Sequence, residues 1–252
     1  MDDMYDLIGD IHGHAAALER LLGLLGYSRH GGVHRHPSRQ VIFLGDFIDR
    51  GPAIRETLAI VRAMVEAGTA RAVMGNHELN ALAFHTPDPH APGEHLRRHN
   101  EMHSRQHAET VRQLPGAQLT DALDWFRTLP LWLDLDGFRV VHACWDEMLA
   151  ARVADHLGER PVTDDFLLAA CHRDGPLFRP VETLLKARDL ARAAGLRYVY
   201  IGNVPGLAGA GNTSCPTCHR TVIERDIFSV TRLDLNAGKC RHCHTAIAGV
   251  WS

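Results

Sequence analysis

No apolar run in the sequence approaches the ~18 residues of a membrane-spanning helix, so no membrane contact is expected. Surplus charge of one sign is missing too: 27 Lys and Arg face 30 Asp and Glu, a formal charge of −3. That balance argues against a chain that grips nucleic acid by bulk positive charge. No secretory signal is expected from MDDMYDLIGD, which is acidic and reads as entering a strand at once. A cytoplasmic location with reduced thiols follows as the expectation. What the chain has in excess is histidine, eighteen in 252 residues, beside six cysteines. Histidine is the commonest side-chain metal ligand, so metal chemistry is the class to test first. The length suits one large α/β domain, or a medium domain with a small one.

Four short apolar runs stop abruptly at polar loops. Tyr5–Ile8 enters Gly9-Asp10-Ile11-His12-Gly13, and Val41–Leu44 enters Gly45-Asp46-Phe47-Ile48-Asp49-Arg50-Gly51. Ala70–Met74 enters Gly75-Asn76-His77-Glu78, and Phe138–Val141 enters His142-Ala143-Cys144. Such runs read as buried strands, whose ends are where sites are built. Helical periodicity fills 15–25 and 53–67, and residues 147–157, 163–172 and 181–195 also read as helices. Strands alternating with helices indicate an α/β architecture. Residues 131–135 and 138–141, joined by Asp136-Gly137, predict a hairpin. A further strand is expected at 197–201, then a Gly/Asn/Pro/Ser-rich linker over 202–216.

Asp-x-His, Asp-x-x-Asp-Arg and Asn-His at successive strand ends would suit two divalent ions. One aspartate shared between them would set the ~3.5–4 Å spacing of two-metal hydrolysis, with a bridging water acidified to hydroxide. A neighbouring histidine could protonate the leaving alkoxide, and an arginine could hold phosphoryl oxygens.

GDIHG at 9–13, GDFIDRG at 45–51 and GNHE at 75–78 resemble the three signatures of the calcineurin-like metallophosphoesterases. The spacing is most similar to bacterial relatives of phosphoprotein phosphatases and to diadenosine-tetraphosphatases, over about residues 4–186. The resemblance implies a β-sandwich flanked by helices and two divalent ions, Mn²⁺ or alternatively Fe or Zn²⁺. Asp10 and His12 would hold one ion, Asp46 would bridge, and Asn76 and His142 would hold the other. His77 would be the general acid, oriented by Asp49, with Arg50 on the phosphoryl group. The implied reaction is hydrolysis of a phosphomonoester or phosphoanhydride in a protein, nucleotide or small molecule. The sequence departs from the family twice. Its fourth block reads His142-Ala143-Cys144, where Cys144 is expected to pack inertly beside the site. The family's late Gly-His is missing, and His156, His172, His219, His242 and His244 stand in other contexts. A metal-binding pseudo-phosphatase is therefore the rival reading.

Cys215-Pro-Thr-Cys218 and Cys240-Arg-His-Cys243, twenty-one residues apart, have the spacing of a Cys₄ structural zinc site, with zinc-ribbon strands at 221–223 and 227–230. From about Leu190 to Trp251, YVYIGNVPG, CPTC, the second CxxC and AGVW resemble the tail of the AmmeMemoRadiSam-system radical SAM enzymes. Their CxxxCxxC cluster motif is absent from this chain, so no radical chemistry follows. The expected organisation is a phosphoesterase domain over 1–186 without its last strands, a helix, strand and linker over 187–214, and a zinc-ribbon tail over 215–252. The chain changes character near Lys186–Ala187. A ribbon that docks a protein partner is a further alternative; a nucleic-acid partner is disfavoured, because acidic residues offset the tail's basic ones.

His95, His99, His103 and His107 recur every four residues. One helix through them would turn His99, His103 and His107 inward as polar packing near the cleft, with a substrate contact as the alternative. His85 and His90 lie among Pro and Asp and are expected at the surface.

Overall fold

In a computed structural model of the chain, the described residues are 4–143, 145–158, 161–172, 177, 211–226 and 229–248. The chain divides into two compact units, Met1–Phe178 and Arg179–Ser252. Cys144, the helix expected at 181–195, the strand expected at 197–201 and the change of character near 186–187 lie outside the described residues.

The first unit opens with β1 (Met4–Ile8), α1 (Ala15–Leu24), the strand pair β2 (Ser28–His30) and β3 (Val33–Arg35), and β4 (Arg39–Phe43). There follow α2 (Ile54–Glu66), β5 (Ala70–Ala72), α3 (Asn76–His85), α4 (Glu101–Gln113) and α5 (Ala117–Thr128). The hairpin β6 (Trp132–Leu135) and β7 (Phe138–Val141) and the helices α6 (Glu147–Leu157) and α7 (Asp164–Cys171) complete it. β1, β4 and β5 form a parallel sheet in the order β1-β4-β5, as crossovers through helices require.

Strand period two sorts β4 cleanly. Val41 and Phe43 enter the helix-covered core with Leu22, Phe47, Ile54, Met64 and Phe126. Ile42 points the other way, into a smaller cluster with Val73 and Val140, packed by Leu133 and Leu135 of the hairpin. The central strand β4 is thus buried on both faces from Val41 to Phe43, which is why that stretch reads as an unbroken apolar run. Layering places the three polar turns after β1, β4 and β5 at one edge. Backbone bonds join the first two: the Ile11 and His12 N–H groups donate to Asp46 O at 3.0 and 2.9 Å, and Gly13 N–H to Phe47 O at 2.8 Å.

The second unit contains β8 (Thr213–Ser214), β9 (Thr221–Asp226), β10 (Ser229–Leu233), β11 (Leu235–Asn236) and β12 (Lys239–Cys240). β9 lies between β8 and β10, all antiparallel, and β11 pairs with β12. The end of the expected linker is therefore a strand, because Thr213 and Ser214 find partners in Ile223 and Thr221. The two Cys-x-x-Cys segments repeat one turn. His219 N–H donates to Cys215 O at 3.0 Å and His244 N–H to Cys240 O at 2.9 Å. Both histidines are left-handed, at φ 58° and 60°.

The histidine row departs from expectation. α4 begins at Glu101, capped by the Asn100 side chain, which accepts from His103 N–H. An asparagine at that position is a strong helix start, so His95 and His99 stay in the preceding loop. Of the four, only His107 is buried. His85 also differs: it is the last residue of α3 and half-buried, while His90 is exposed as expected.

Gly51 shows how tightly the turns approach. A Cβ there would lie 2.1 Å from His12 O and 2.7 Å from Gly13 C, both backbone atoms that cannot step aside alone. Gly51→Ala is expected to cost about 1–3 kcal/mol, read as a lower thermal midpoint.

Candidate metal centre

Asp46 sits in the middle of the three turns and is 2% exposed. Its Oδ1 accepts from His77 N–H at 3.0 Å, in the first turn of α3. Its Oδ2 faces three imidazoles: His142 Nε2 at 3.5 Å, His12 Nε2 at 3.7 Å and His77 Nε2 at 3.9 Å. Asp10 Oδ2 lies 3.7 Å from His12 Nε2. Asp46 thus belongs to two converging groups, one with His12 and His77 and one with Asp10 and His142. Among the described residues no other histidine joins either group.

The histidines are aimed by their far edges. His12 Nδ1 lies 2.8 Å from Ile48 O and His142 Nδ1 2.6 Å from Leu44 O. A carbonyl only accepts, so Nδ1 carries a proton in both rings and Nε2 is the nitrogen turned inward. His12 Nε2 is buried without a hydrogen-bond partner. Burial, more than any neighbouring charge, lowers the pKa of His12 and favours its neutral form. His142 Nε2 stands 3.0 Å from Asn76 Oδ1. Two ligands about 2.1 Å from one cation and at right angles to each other would sit about 3 Å apart. An orphaned nitrogen, two facing acceptors and a shared carboxylate fit divalent cations.

His77 is set differently. Its Nδ1 lies 2.6 Å from Asp49 Oδ2, leaving Nε2 toward the site, where the exposed Arg50 guanidinium comes within 3.4 Å. Burial pulls the His77 pKa down, but the bond to Asp49 and the charges of Asp46 and Asp49 outweigh it, for a net rise. Burial alone would raise the Asp49 carboxyl; hydrogen bonds from His107, His77 and Thr110 hold it well below the usual carboxylate range.

The backbone here is strained. His12, Asp46, Asp49 and Arg50 have φ of 46°, 56°, 67° and 64°, the left-handed region that side chains disfavour. Four such residues in two adjacent turns persist only because their surroundings fix them. Glu78 is central to that. Its carboxylate accepts from Asp46 N–H and Phe47 N–H at 2.8 Å each and from Gly75 N–H at 3.0 Å. Burial pushes Glu78 up to about 7, the Asp46 charge adding to the rise and the three N–H donors opposing it. A cation on Asp46 would relieve that repulsion.

Sequence reasoning placed Asp10, His12, Asp46, Asp49, Arg50, Asn76, His77 and His142, and the fold brings all eight together. It gave no role to Glu78, although a glutamate at the third position of a helix is a capping-box signal. It turned His107 inward as polar packing without foreseeing its bond to Asp49, and gave Thr110, also bonded to Asp49, no role. The four cysteine sulfurs lie within 4.8 Å of one another, Cys215–Cys243 at 3.4 Å and Cys218–Cys240 at 3.7 Å. Zn–S bonds of about 2.3 Å in a tetrahedron give an edge of about 3.8 Å, so the cluster fits zinc.

The profile of the calcineurin-like phosphoesterases matches residues 5–190, which contain all three motif turns. The chain belongs to that family. Curated relatives of the phosphoesterase chain include the asymmetrical bis(5'-nucleosyl)-tetraphosphatase PrpE of Oceanobacillus iheyensis. It is 41% identical over 73 residues, 29% of this chain and 29% of the relative. The symmetrical bis(5'-nucleosyl)-tetraphosphatase of a Janthinobacterium species is 34% identical over 139 residues, 54% of this chain and 42% of the relative. An uncharacterized protein of Methanocaldococcus jannaschii is 52% identical over 66 residues, 25% of this chain and 20% of the relative. The chain thus spans less than half the length of each of these relatives.

His85 offers a test of the surroundings of the site. Burial, then the charges of His107, His99 and His95, lowers its pKa from 6.5 to about 4. The unfolded chain takes up this proton first as pH falls, so the stability contribution is present above pH 6.5 and lost as pH falls through about 4. The ceiling is about 3 kcal/mol before discounting for the ring's partial exposure. His85→Gln should therefore lose less stability than wild type in denaturant titrations compared across that range.

Proposed function

We propose that the chain is a metal-dependent phosphoesterase that hydrolyses a phosphomonoester or phosphoanhydride. The observation that carries this reading is the buried Asp46 carboxylate, shared by two converging ligand groups at the edge where three strands end. Asp10, His12, Asp46, Asn76 and His142 would hold two divalent cations, Mn²⁺ or alternatively Fe or Zn²⁺. Such cations, when bound, acidify water and offset charge on phosphoryl oxygens. Arg50, exposed at the mouth, would grip the phosphoryl group through its planar fork. His77 Nε2 would give its proton to the leaving oxygen, while Asp49 holds the ring by Nδ1. The tetraphosphatase relatives make dinucleoside polyphosphates a substrate to assay beside phosphoproteins and small esters.

Turnover of p-nitrophenyl phosphate with Mn²⁺ tests this. Asp46→Asn should lower kcat/KM for p-nitrophenyl phosphate by about 10²–10⁴-fold, and His77→Asn should do so for phenyl phosphate, whose leaving group needs the proton. A chelator should abolish activity and Mn²⁺ restore it. Metal uptake without turnover would instead favour a pseudo-phosphatase.

We further propose that Cys215, Cys218, Cys240 and Cys243 hold one structural Zn²⁺ in a ribbon, beginning near residue 215, attached to the phosphoesterase domain. Elemental analysis of Cys215→Ser/Cys240→Ser should find one zinc fewer per chain than in wild type. Retention of the full zinc content would refute the assignment.

A further inference from the structure

The Asp49 carboxylate is held from both sides. Oδ2 takes the bond from His77 Nδ1 at 2.6 Å, while Oδ1 takes bonds from His107 Nδ1 at 2.9 Å and Thr110 Oγ1 at 2.6 Å. Asp49 N–H donates back to Thr110 Oγ1 at 3.0 Å. A carboxylate only accepts, so both imidazoles present Nδ1–H to it. His107 is fixed in turn at its other edge, where Nε2 lies 3.2 Å from His85 Nε2. His107 and Thr110 are neighbours on one face of α4, three residues apart. Both are buried, at 5% and 0% exposure. Asp49 meanwhile has a left-handed backbone, at φ 67°, which something outside its own turn must stabilise.

We propose that His107, assisted by Thr110, is a positioning residue for proton transfer at His77. It locks Oδ1 of Asp49, so that Oδ2 stays on His77 Nδ1 and Nε2 stays aimed at the leaving oxygen. The inference rests on the proton-donor role given to His77 above. In that step an oxygen supplied by water bonds to phosphorus while the phosphorus–oxygen bond to the leaving group breaks, and the electron pair of the broken bond remains on the leaving oxygen. The proton on His77 Nε2 moves to that oxygen, and the imidazolium becomes a neutral ring that keeps its Nδ1–H. His107 neither gains nor loses a proton.

A residue that merely tied α4 to the motif turn would affect all substrates alike. A positioning residue affects those that need the proton. p-Nitrophenolate leaves readily as an anion, whereas phenolate, whose acid has a pKa near 10, leans on the donor. The experiment measures kcat/KM for phenyl phosphate and p-nitrophenyl phosphate, with metal content determined for every variant. His107→Leu is expected to lose at least ~10-fold more on the phenyl ester than on the p-nitrophenyl ester. His107→Asn, whose amide N–H can replace Nδ1–H, should recover most of that difference. Thr110→Val, which removes the other bonds, should shift the ratio in the same direction and serves if the leucine variant does not fold. Equal losses on both esters, or an asparagine variant no better than leucine, would overturn the positioning role. A metal-loaded wild type inert on both esters would overturn the reading of the site itself, and this inference with it.

Discussion

The whole site depends on the close approach of two turns, the one leaving β4 at Gly45 and the one leaving β5 at Gly75. A Cβ on Gly45 would lie 2.2 Å from Gly75 N, and a Cβ on Gly75 would lie 2.2 Å from Asp46 Oδ1. Only with both side chains absent can Asp46 reach the first turn of α3 and cap it through His77 N–H. Glu78 then clamps the junction from below, gathering one N–H from the β5 turn and two from the β4 turn into one buried carboxylate. The strain of the left-handed Asp46 is offset by these bonds rather than by its own conformation. Positioning of the central carboxylate is therefore a property of the junction and not of either strand.

That clamp concentrates negative charge. Asp46, Asp49 and Glu78 are all buried within one small volume. Each answers the problem differently. Asp49 has three donors and stays ionised. Glu78 has three backbone donors, yet burial and the charge of Asp46 still push it upward. Asp46 spends one oxygen on α3 and turns the other toward histidines whose Nδ1 protons are committed elsewhere. His12, kept neutral by burial, cannot balance that carboxylate, and the charge of His77 is engaged by Asp49, so three buried carboxylates call for external positive charge. The geometry and the electrostatics make the same demand for cations.

The turns were legible in the sequence because each is a contiguous motif ending an apolar run, so residue order alone places the side chains. The support around Asp49 was not, since His107 and Thr110 lie 58 and 61 residues away and a four-residue histidine rhythm masked where α4 begins. Asn100 was the decisive residue there. Its side chain caps the helix and leaves His99 outside, stacked between Phe84 at 3.9 Å and His95 at 4.1 Å. Periodicity reports a helix only where the caps allow one. His85 shows the same limit: Pro and Asp downstream suggested a surface loop, yet α3 extends through it, and tertiary contact with His107 half-buries it.

The two candidate metal sites should couple to folding in opposite ways. Around the Asp46 site, hydrogen bonds to protein carbonyls and carboxylates already fix the histidine tautomers, and a core including Phe43, Phe47, Phe126 and Met64 surrounds the turns. That unit has enough buried apolar surface to hold its shape by itself, so binding energy there can go into affinity rather than into folding. The cysteine-bearing unit is built on a core of Val222, Ile223, Leu235 and Ile247, with the cysteines themselves completing it. Among the described residues its strands run only two to six residues, which by themselves give little independent stability. Its two repeated knuckles bring their four sulfurs within 4.8 Å of one another beside that cluster, so there the ion would complete the core.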